Sequence, residues 1–169
     1  TDSQEKVLIE IRERLIAAVR KRLVADVPVG YLLSGGLDSS LVCGIAAHVL
    51  KKPLVTFAVG LNQNPIDLPY AKKVADFIHS EHHAVLFDRL DTIGCVRDVI
   101  WHAESWDITT IRASIGMYIV CKYIKQHSKI KVLLTGEVSD EIFGYKYTDF
   151  APNAAEFQNE SVKRLDELY

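Results

Sequence analysis

Cysteine is scarce in this chain: three stand among 169 residues, at positions 43, 95 and 121. Each has apolar neighbours and the three share no metal-ligand spacing. They are therefore expected to be reduced, buried thiols of a cytoplasmic protein, not a disulfide frame or a zinc site. No apolar run is long enough to span a bilayer, and no signal peptide is visible. Charge of neither sign prevails. The net value of −2 leaves no general footprint for nucleic acid or for an anionic membrane. Internal repeats and low-complexity tracts are absent. Two familiar nucleotide signatures are missing as well: there is no G-x-x-x-x-G-K-[ST] and no G-x-G-x-x-G.

What is present is an ordinary globular composition. Hydrophobic residues make up 49% and charged residues 25%, and the length suits one domain, 1–169, with a sizeable core. Val7, Ile11, Leu15, Ala18, Val19 and Leu23 recur at helical spacing, and the segment 26–28 ends that helix. A strand is expected over 30–33 and a helix from 37 to about 50. The unbroken apolar run 54–59 reads as a strand buried on both faces. A loop follows over 61–69, then a helix over 70–78, a strand over 83–87 and a helix from about 92 to 101. The polar stretch 104–110 separates that helix from another over about 111–125. A strand over 131–134, a short helical turn over 140–143 and an amphipathic helix over 154–168 complete the chain. Strands alternating with helices predict an α/β fold: an open parallel sheet with helices on both faces, which binds ligands beyond the carboxyl ends of its strands.

The densest chemical signal lies between the first strand and the second helix, in Ser34-Gly35-Gly36-Leu37-Asp38-Ser39-Ser40. Glycines let backbone N–H groups approach an anion, and the first turn of the following helix adds unpaired N–H groups. Three serine hydroxyls supply further donors. An acid inside an anion site is costly unless a cation stands between, so Asp38 implies a magnesium ion bridging to phosphate. The plain reading of a bare glycine pair, a turn capped by Ser34 or Asp38, competes with this one. A second cluster, Thr135-Gly136-Glu137-Val138-Ser139-Asp140-Glu141, follows the fourth strand. Taken alone it suits a solvated helix N-terminus, where acids are favoured. Set beside the first strand's end, it would bring Asp38 and Asp140 to one ion.

The pattern S-G-G-x-D-S-S resembles the pyrophosphate loop of the ATP pyrophosphatases. Together with G-E-x-S-D-E it resembles the synthetase domain of the glutamine-hydrolysing asparagine synthetase family. Further segments carry the resemblance: 18–23, 56–60, 80–83, 107–114, 116–118, 151–152 and 167–169. It therefore covers nearly the whole chain, as the N-terminal part of that synthetase domain. It implies the adenine nucleotide alpha hydrolase-like (ATP pyrophosphatase) fold and an ATP-dependent ligase. Aspartate's β-carboxylate would attack ATP, giving β-aspartyl-AMP and pyrophosphate, and ammonia would then displace AMP.

By the same resemblance, Ser34, Gly35, Gly36, Ser39 and Ser40 hold pyrophosphate, while Asp38 and Asp140 bind Mg²⁺. Leu32, Val59, Thr135 and Gly136 frame the adenosine. Glu137 matches the acid linked to forming and consuming the acyl-adenylate. Thr109, Thr110 and Arg112 match residues near aspartate and phosphate, although Arg112 by itself reads as a surface ion pair with Asp107 or Glu104. The implied partners are ATP, aspartate and ammonia from a glutaminase domain outside this chain, in a protein whose full-length form is a homodimer. The distal part of the synthetase domain is likewise absent, and both chain ends suggest a piece of something longer. The chain departs from the pattern at Val138, where the family has glycine, and over 149–150, where it lacks a His-Lys pair. A β-lactam synthetase relative and a non-catalytic nucleotide-binding module are the alternatives. The run 79–83 holds three histidines but fits no zinc spacing, and strand alternation sends His82 and His83 to opposite faces. Trp101 and Trp106 are expected to be packing residues.

Overall fold

The four apolar runs form one parallel sheet in the order β3-β2-β1-β4. The computed structural model describes residues 3–137, 139–140, 144 and 150–167. The elements run α1 (Gln4–Arg22), β1 (Val29–Leu32), α2 (Leu37–Leu50), β2 (Val55–Leu61), α3 (Leu68–Phe77), β3 (Glu81–Phe87), α4 (Arg89–Ala103), α5 (Ile108–His127), β4 (Val132–Leu134) and α6 (Ala154–Glu167). The chain divides into two compact units, Thr1–Thr135 and Gly136–Tyr169.

In the first unit, strand alternation sorts side chains to two sides of the sheet. Tyr31, Leu33, Ala58 and Leu134 pack with Val19 of α1, Cys43 and Ala46 of α2, and Ala71 and Ala75 of α3. Leu32, Phe57, Val59, Val85 and Leu133 face the other way, against Val120 and Ile124 of α5. Helices on both faces explain why 54–59 is apolar without a break: neither face of β2 meets water. Burial pushes the Cys43 thiol up to about 12, so it is a packing group and not a nucleophile. Cys95 is buried too, whereas Cys121 is exposed on α5, so the expectation of three buried thiols fails at that position.

Several element starts lie earlier than periodicity placed them, and caps explain why. Asp88 and Asp91 form a reciprocal capping box that starts α4 at Arg89. Asp107 accepts from the Thr110 N–H at 2.7 Å and from its hydroxyl at 2.9 Å. The polar stretch 104–110 thus ends inside a helix that begins at Ile108. Pro69 sits in the first turn of α3, where its missing N–H costs nothing, so that helix begins inside the expected loop. β3 begins at Glu81, paired with Val55 of β2.

Two packing expectations are overturned. Trp101 and Trp106 are 79% and 88% exposed. α4 buries Cys95 and Val99, and Trp101, two positions beyond Val99, points away from that face at 100° per residue. Trp106 lies in the connection to α5. The apolar stripe of α1 is also covered only at its C-terminal end. Val19 is buried, while Val7 and Ile11 are 41% and 40% exposed.

The second unit contains α6, opened by Asn153, whose side chain accepts from the Glu156 N–H at 2.9 Å. Arg164 and Glu160 pair along it at 3.1 Å. The expected turn over 140–143 falls mostly outside the described residues, as do Val138, Asp149 and the end of the last helix at 168.

One half-buried histidine in the first unit has its pKa shifted by its surroundings. His82 lies on the α3 side of β3 with its Nδ1 2.9 Å from Thr56 Oγ1, and its Nε2 is buried without a partner. His83 faces the other side, stacked on Phe57 with 5.1 Å between ring centroids. The two histidines therefore do point apart. Burial first, and then the Lys72 charge, lowers the His82 pKa below its ordinary 6.5. The unfolded imidazole binds a proton that the folded one refuses, so stability is full above about 6.5 and falls as pH drops below it. Urea unfolding at pH 7.5 and 5.5 is expected to show this loss, and His82→Gln is expected to reduce the difference between the two pH values.

Candidate functional site

The strand order reverses at β1. The chain passes from β1 to β2 and β3 on one side, then returns through α4 and α5 to place β4 on the other. A reversal of this kind opens a crevice beyond the carboxyl ends of the two strands that flank it. β1 and β4 are those strands, paired through Val29↔Val132, Gly30↔Leu133 and Tyr31↔Leu134. One residue further along the same register are Leu32 and Thr135. The glycine turn 34–40 leaves β1 at this point, so both sequence clusters start at the crevice.

The turn is built by its own hydroxyls. Ser39 Oγ accepts from the Ser34 N–H at 3.2 Å and lies 2.9 Å from Ser34 Oγ. Ser34 Oγ in turn accepts from the Gly36 N–H at 3.3 Å. These bonds fold the turn back on itself. Ser40 Oγ differs: it is buried and has no hydrogen-bond partner. A buried hydroxyl without a partner costs about 1–3 kcal/mol, which a bound acceptor would recover. Gly36 is the N-cap of α2 and provides no capping side chain. The N–H groups of the first helical turn thus receive no capping side chain from Gly36, and the positive end of the helix dipole lies behind them. Asp38 sits half-exposed in that first turn.

Gly35 is required twice over. Its φ is +85°, and a Cβ built there would meet Ala71 N at 2.4 Å and the Tyr70 carbonyl carbon at 2.5 Å. The turn rests directly on the backbone of α3. At Gly36 an added Cβ would meet only Ser34 Oγ, at 3.4 Å.

α5 approaches the same end of the sheet. Tyr123 lies 6.4 Å from His83, and a Cβ on Gly116 would lie 3.5 Å from Val59 near the end of β2. Falling residue number along α5 therefore follows the strands toward their carboxyl ends. At 1.5 Å per residue, Thr109 lies about 10 Å beyond Gly116, past the strand ends, with Thr110 and Arg112 between. All three are exposed. Hydrogen bonds from the Thr110 N–H and hydroxyl hold the Asp107 carboxyl below its usual range, so Thr110 serves the cap. Arg112 forms no ion pair among the described residues, with Asp107, Glu104 or any other acid. The first unit thus gathers Leu32, Ser34, Gly35, Gly36, Asp38, Ser39, Ser40, Val59, Thr135 and the start of α5 at one end of the sheet. Gly136, Glu137 and Asp140 belong to the second unit. Among the described residues no group of three or more His, Cys, Asp or Glu could hold a metal ion. The role of the Tyr70–Ala71 backbone as the wall behind Gly35 had no signal in the sequence, because any residue supplies a backbone.

The sheet order and the turn define an α/β protein with the ATP pyrophosphatase fold. Solved structures share that fold. The NH3-dependent NAD synthetase of Campylobacter jejuni superposes with a TM-score of 0.53 at 19% identity, over 91% of this chain and 72% of that one. The NMN synthetase of Francisella tularensis gives 0.52 at 18% identity, over 98% and 72%. The family described as asparagine synthase matches residues 10–167, and the chain belongs to it. It is 48% identical to the glutamine-hydrolysing asparagine synthetase of Gallus gallus over 99% of its length, and 48% identical to that of Homo sapiens over 86%. A probable asparagine synthetase of Schizosaccharomyces pombe is 46% identical over 94% of the chain. The chain spans 30%, 27% and 32% of those three proteins, respectively.

Gly35→Ala is expected to destabilise the fold by about 2–4 kcal/mol, from strain and overlap with α3 together. Gly36→Ala is expected to leave stability within about 1 kcal/mol of the parent. Urea denaturation of the two variants checks the contrast.

Proposed function

We propose that the chain is the nucleotide-binding part of an asparagine synthetase, an ATP-dependent ligase that adenylates the β-carboxylate of aspartate and transfers ammonia to it. The observation that carries this reading is the 34–40 turn at the strand-order reversal, with its uncapped helix N-terminus and unpartnered Ser40 hydroxyl, in a chain 48% identical to an asparagine synthetase. Ser40 Oγ and the first N–H groups of α2 would take the departing pyrophosphate, while Ser34 and Ser39 shape the turn around it. Leu32, Val59, Thr135 and Gly136 would frame the adenosine, largely through backbone groups.

The donors present fit magnesium. Carboxylate oxygens suit a hard cation that keeps part of its water shell and binds through one or two acids plus substrate phosphates. Asp38 and Asp140 would hold it, and when bound it would neutralise charge on the phosphates. With the Thr110 hydroxyl committed to the Asp107 cap, Thr109 and Arg112 are left to meet aspartate and the α-phosphate. Arg112 would offset negative charge in the adenylation transition state. Glu137 would orient ammonia and accept its proton as it attacks the acyl-adenylate. Ammonia would come from a glutaminase domain beyond this segment. The three thiols without disulfides suit the reducing cytoplasm. Among the described residues no helix is long and apolar enough to cross a membrane.

Spanning under a third of its relatives, the chain by itself is expected to bind ATP–Mg²⁺ weakly and to make no asparagine from ammonia, aspartate and ATP. Extended to the length of those relatives, it is expected to release pyrophosphate from ATP only when aspartate is present. Asp38→Ala in the extended chain should slow that release by about 10²-fold or more. Release that depends on a different carboxylic acid would overturn the choice of aspartate. Nucleotide binding without turnover would overturn the enzymatic reading.

A further inference from the structure

Away from the crevice, at the amino ends of the strands, buried Thr56 meets two half-buried polar side chains, Ser80 and His82. Thr56 of β2 is 0% exposed. Its Oγ1 lies 2.9 Å from Ser80 Oγ and 2.9 Å from His82 Nδ1. The Ser80 hydroxyl donates to the Ala75 carbonyl in the last turn of α3 at 3.4 Å, and the Ser80 N–H donates to the same oxygen at 2.9 Å. One ordering of protons satisfies the whole set. His82 Nδ1–H donates to Thr56, Thr56 to Ser80, and Ser80 to Ala75, leaving His82 Nε2 as a bare lone pair. That matches the unpartnered Nε2, because a buried lone pair costs less than a buried N–H without an acceptor.

The relay ties the end of α3 to β2 and β3. The start of α3 is the wall against which Gly35 rests, with Ala71 N at 2.4 Å from a Cβ built on Gly35. Ala71 and Ala75, one turn apart, are 0% and 1% exposed, and with Leu68, Val74 and Ile78 they form the apolar face of α3 that packs on the core. Apolar packing gives cohesion but is non-directional. The polar relay is directional and fixes the end of α3 against β2 and β3. After the helix, His79 adopts a left-handed conformation with φ of 54°, which turns the chain so that Ser80 reaches back to Ala75.

We propose that the Thr56–Ser80–His82 relay is a positioning device for the phosphate turn: it sets where α3 stands along the sheet, and α3 sets where Gly35 and the N–H groups beside it can stand. Thr56 is thereby a positioning residue far from the ligand it serves. This rests on the reading of the 34–40 turn as a phosphate site. The charged groups around the relay, Lys72 and Asp76 of α3 and His83 of β3, lie at its rim. Lys72 and Asp76 pair with each other, and His83 pairs with Glu81.

The test replaces Thr56 with valine, which keeps the shape and removes the hydroxyl, and with serine, which restores it. Binding of inorganic pyrophosphate with Mg²⁺ is followed by calorimetry under conditions where circular dichroism shows each variant folded. Amide hydrogen exchange is read in parallel at Gly36, Ser40 and Ala71, with Phe57 and Val59 of β2 as internal references. Thr56→Val is expected to weaken pyrophosphate binding by about five- to tenfold and to speed exchange at Ser40 and Ala71 more than at β2. Thr56→Ser is expected to return both to the parent values. Equal affinity in parent and Thr56→Val, or exchange rising uniformly through β2 and the turn, would overturn the proposal, since a merely stabilising role predicts those results. If Thr56→Val does not fold, His82→Gln, which breaks the relay at its other end, is read in the same way. If the parent binds no pyrophosphate, the phosphate reading of the turn fails, and the exchange pattern alone still decides whether the relay positions it.

Discussion

β1 is four residues long and is held on every side. It pairs with β2 on one edge and β4 on the other, and Tyr31 and Leu32 face opposite helical layers. A strand so enclosed has little freedom to shift. A register slip of one residue would exchange its two faces and remove Tyr31 from the α2–α3 layer. Because the 34–40 turn is the direct continuation of β1, its position follows from that pairing. The placing of Thr135 beside Leu32 follows as well, since the same register carries β4.

Rigidity passes outward from β1 through backbone more than through side chains. Gly35 leans on the peptide of Tyr70 and Ala71, and that helix packs on the core through Leu68, Ala71 and Ala75. Apolar contact is non-directional, which leaves the polar groups to give direction. The Ser34–Ser39 pair does so within the turn, Asp107 at the start of α5, and Thr56, Ser80 and His82 at the far end of α3. The helices use their apolar faces for cohesion and their caps and buried hydroxyls for placement. The same division explains the exposed face of α4. Cys95 and Val99 suffice to pack that helix, and Trp101 is left outside.

Much of the site was legible in the chain because its chemistry is local. A glycine pair among hydroxyls, set between an apolar strand and an apolar helix, carries its meaning wherever the strand lies in the sheet. The apolar run 54–59 foretold burial on both faces, and alternation separated His82 from His83. What escaped was set by contacts distant in sequence or by single hydrogen bonds at element ends. The cap at Asp107 turned an expected loop into the first turn of α5. The solvent-facing positions of Trp101 and Cys121 depended on which faces of α4 and α5 the neighbouring elements covered, and composition does not say.

The order β3-β2-β1-β4 lay beyond sequence reading for the same reason: pairing is a choice among strands that look alike as apolar runs. By itself the sequence determined the elements, the parallel class of the sheet and the place of the 34–40 turn between strand and helix, because periodicity and turn composition act over a few residues. Only the tertiary structure decided that β1 and β4 lie side by side and that α5 brings its first turn past the strand ends. It also decided that Gly35 must be glycine because α3 stands behind it. Each of these is a distance between segments that the chain keeps far apart, and packing alone brings them together.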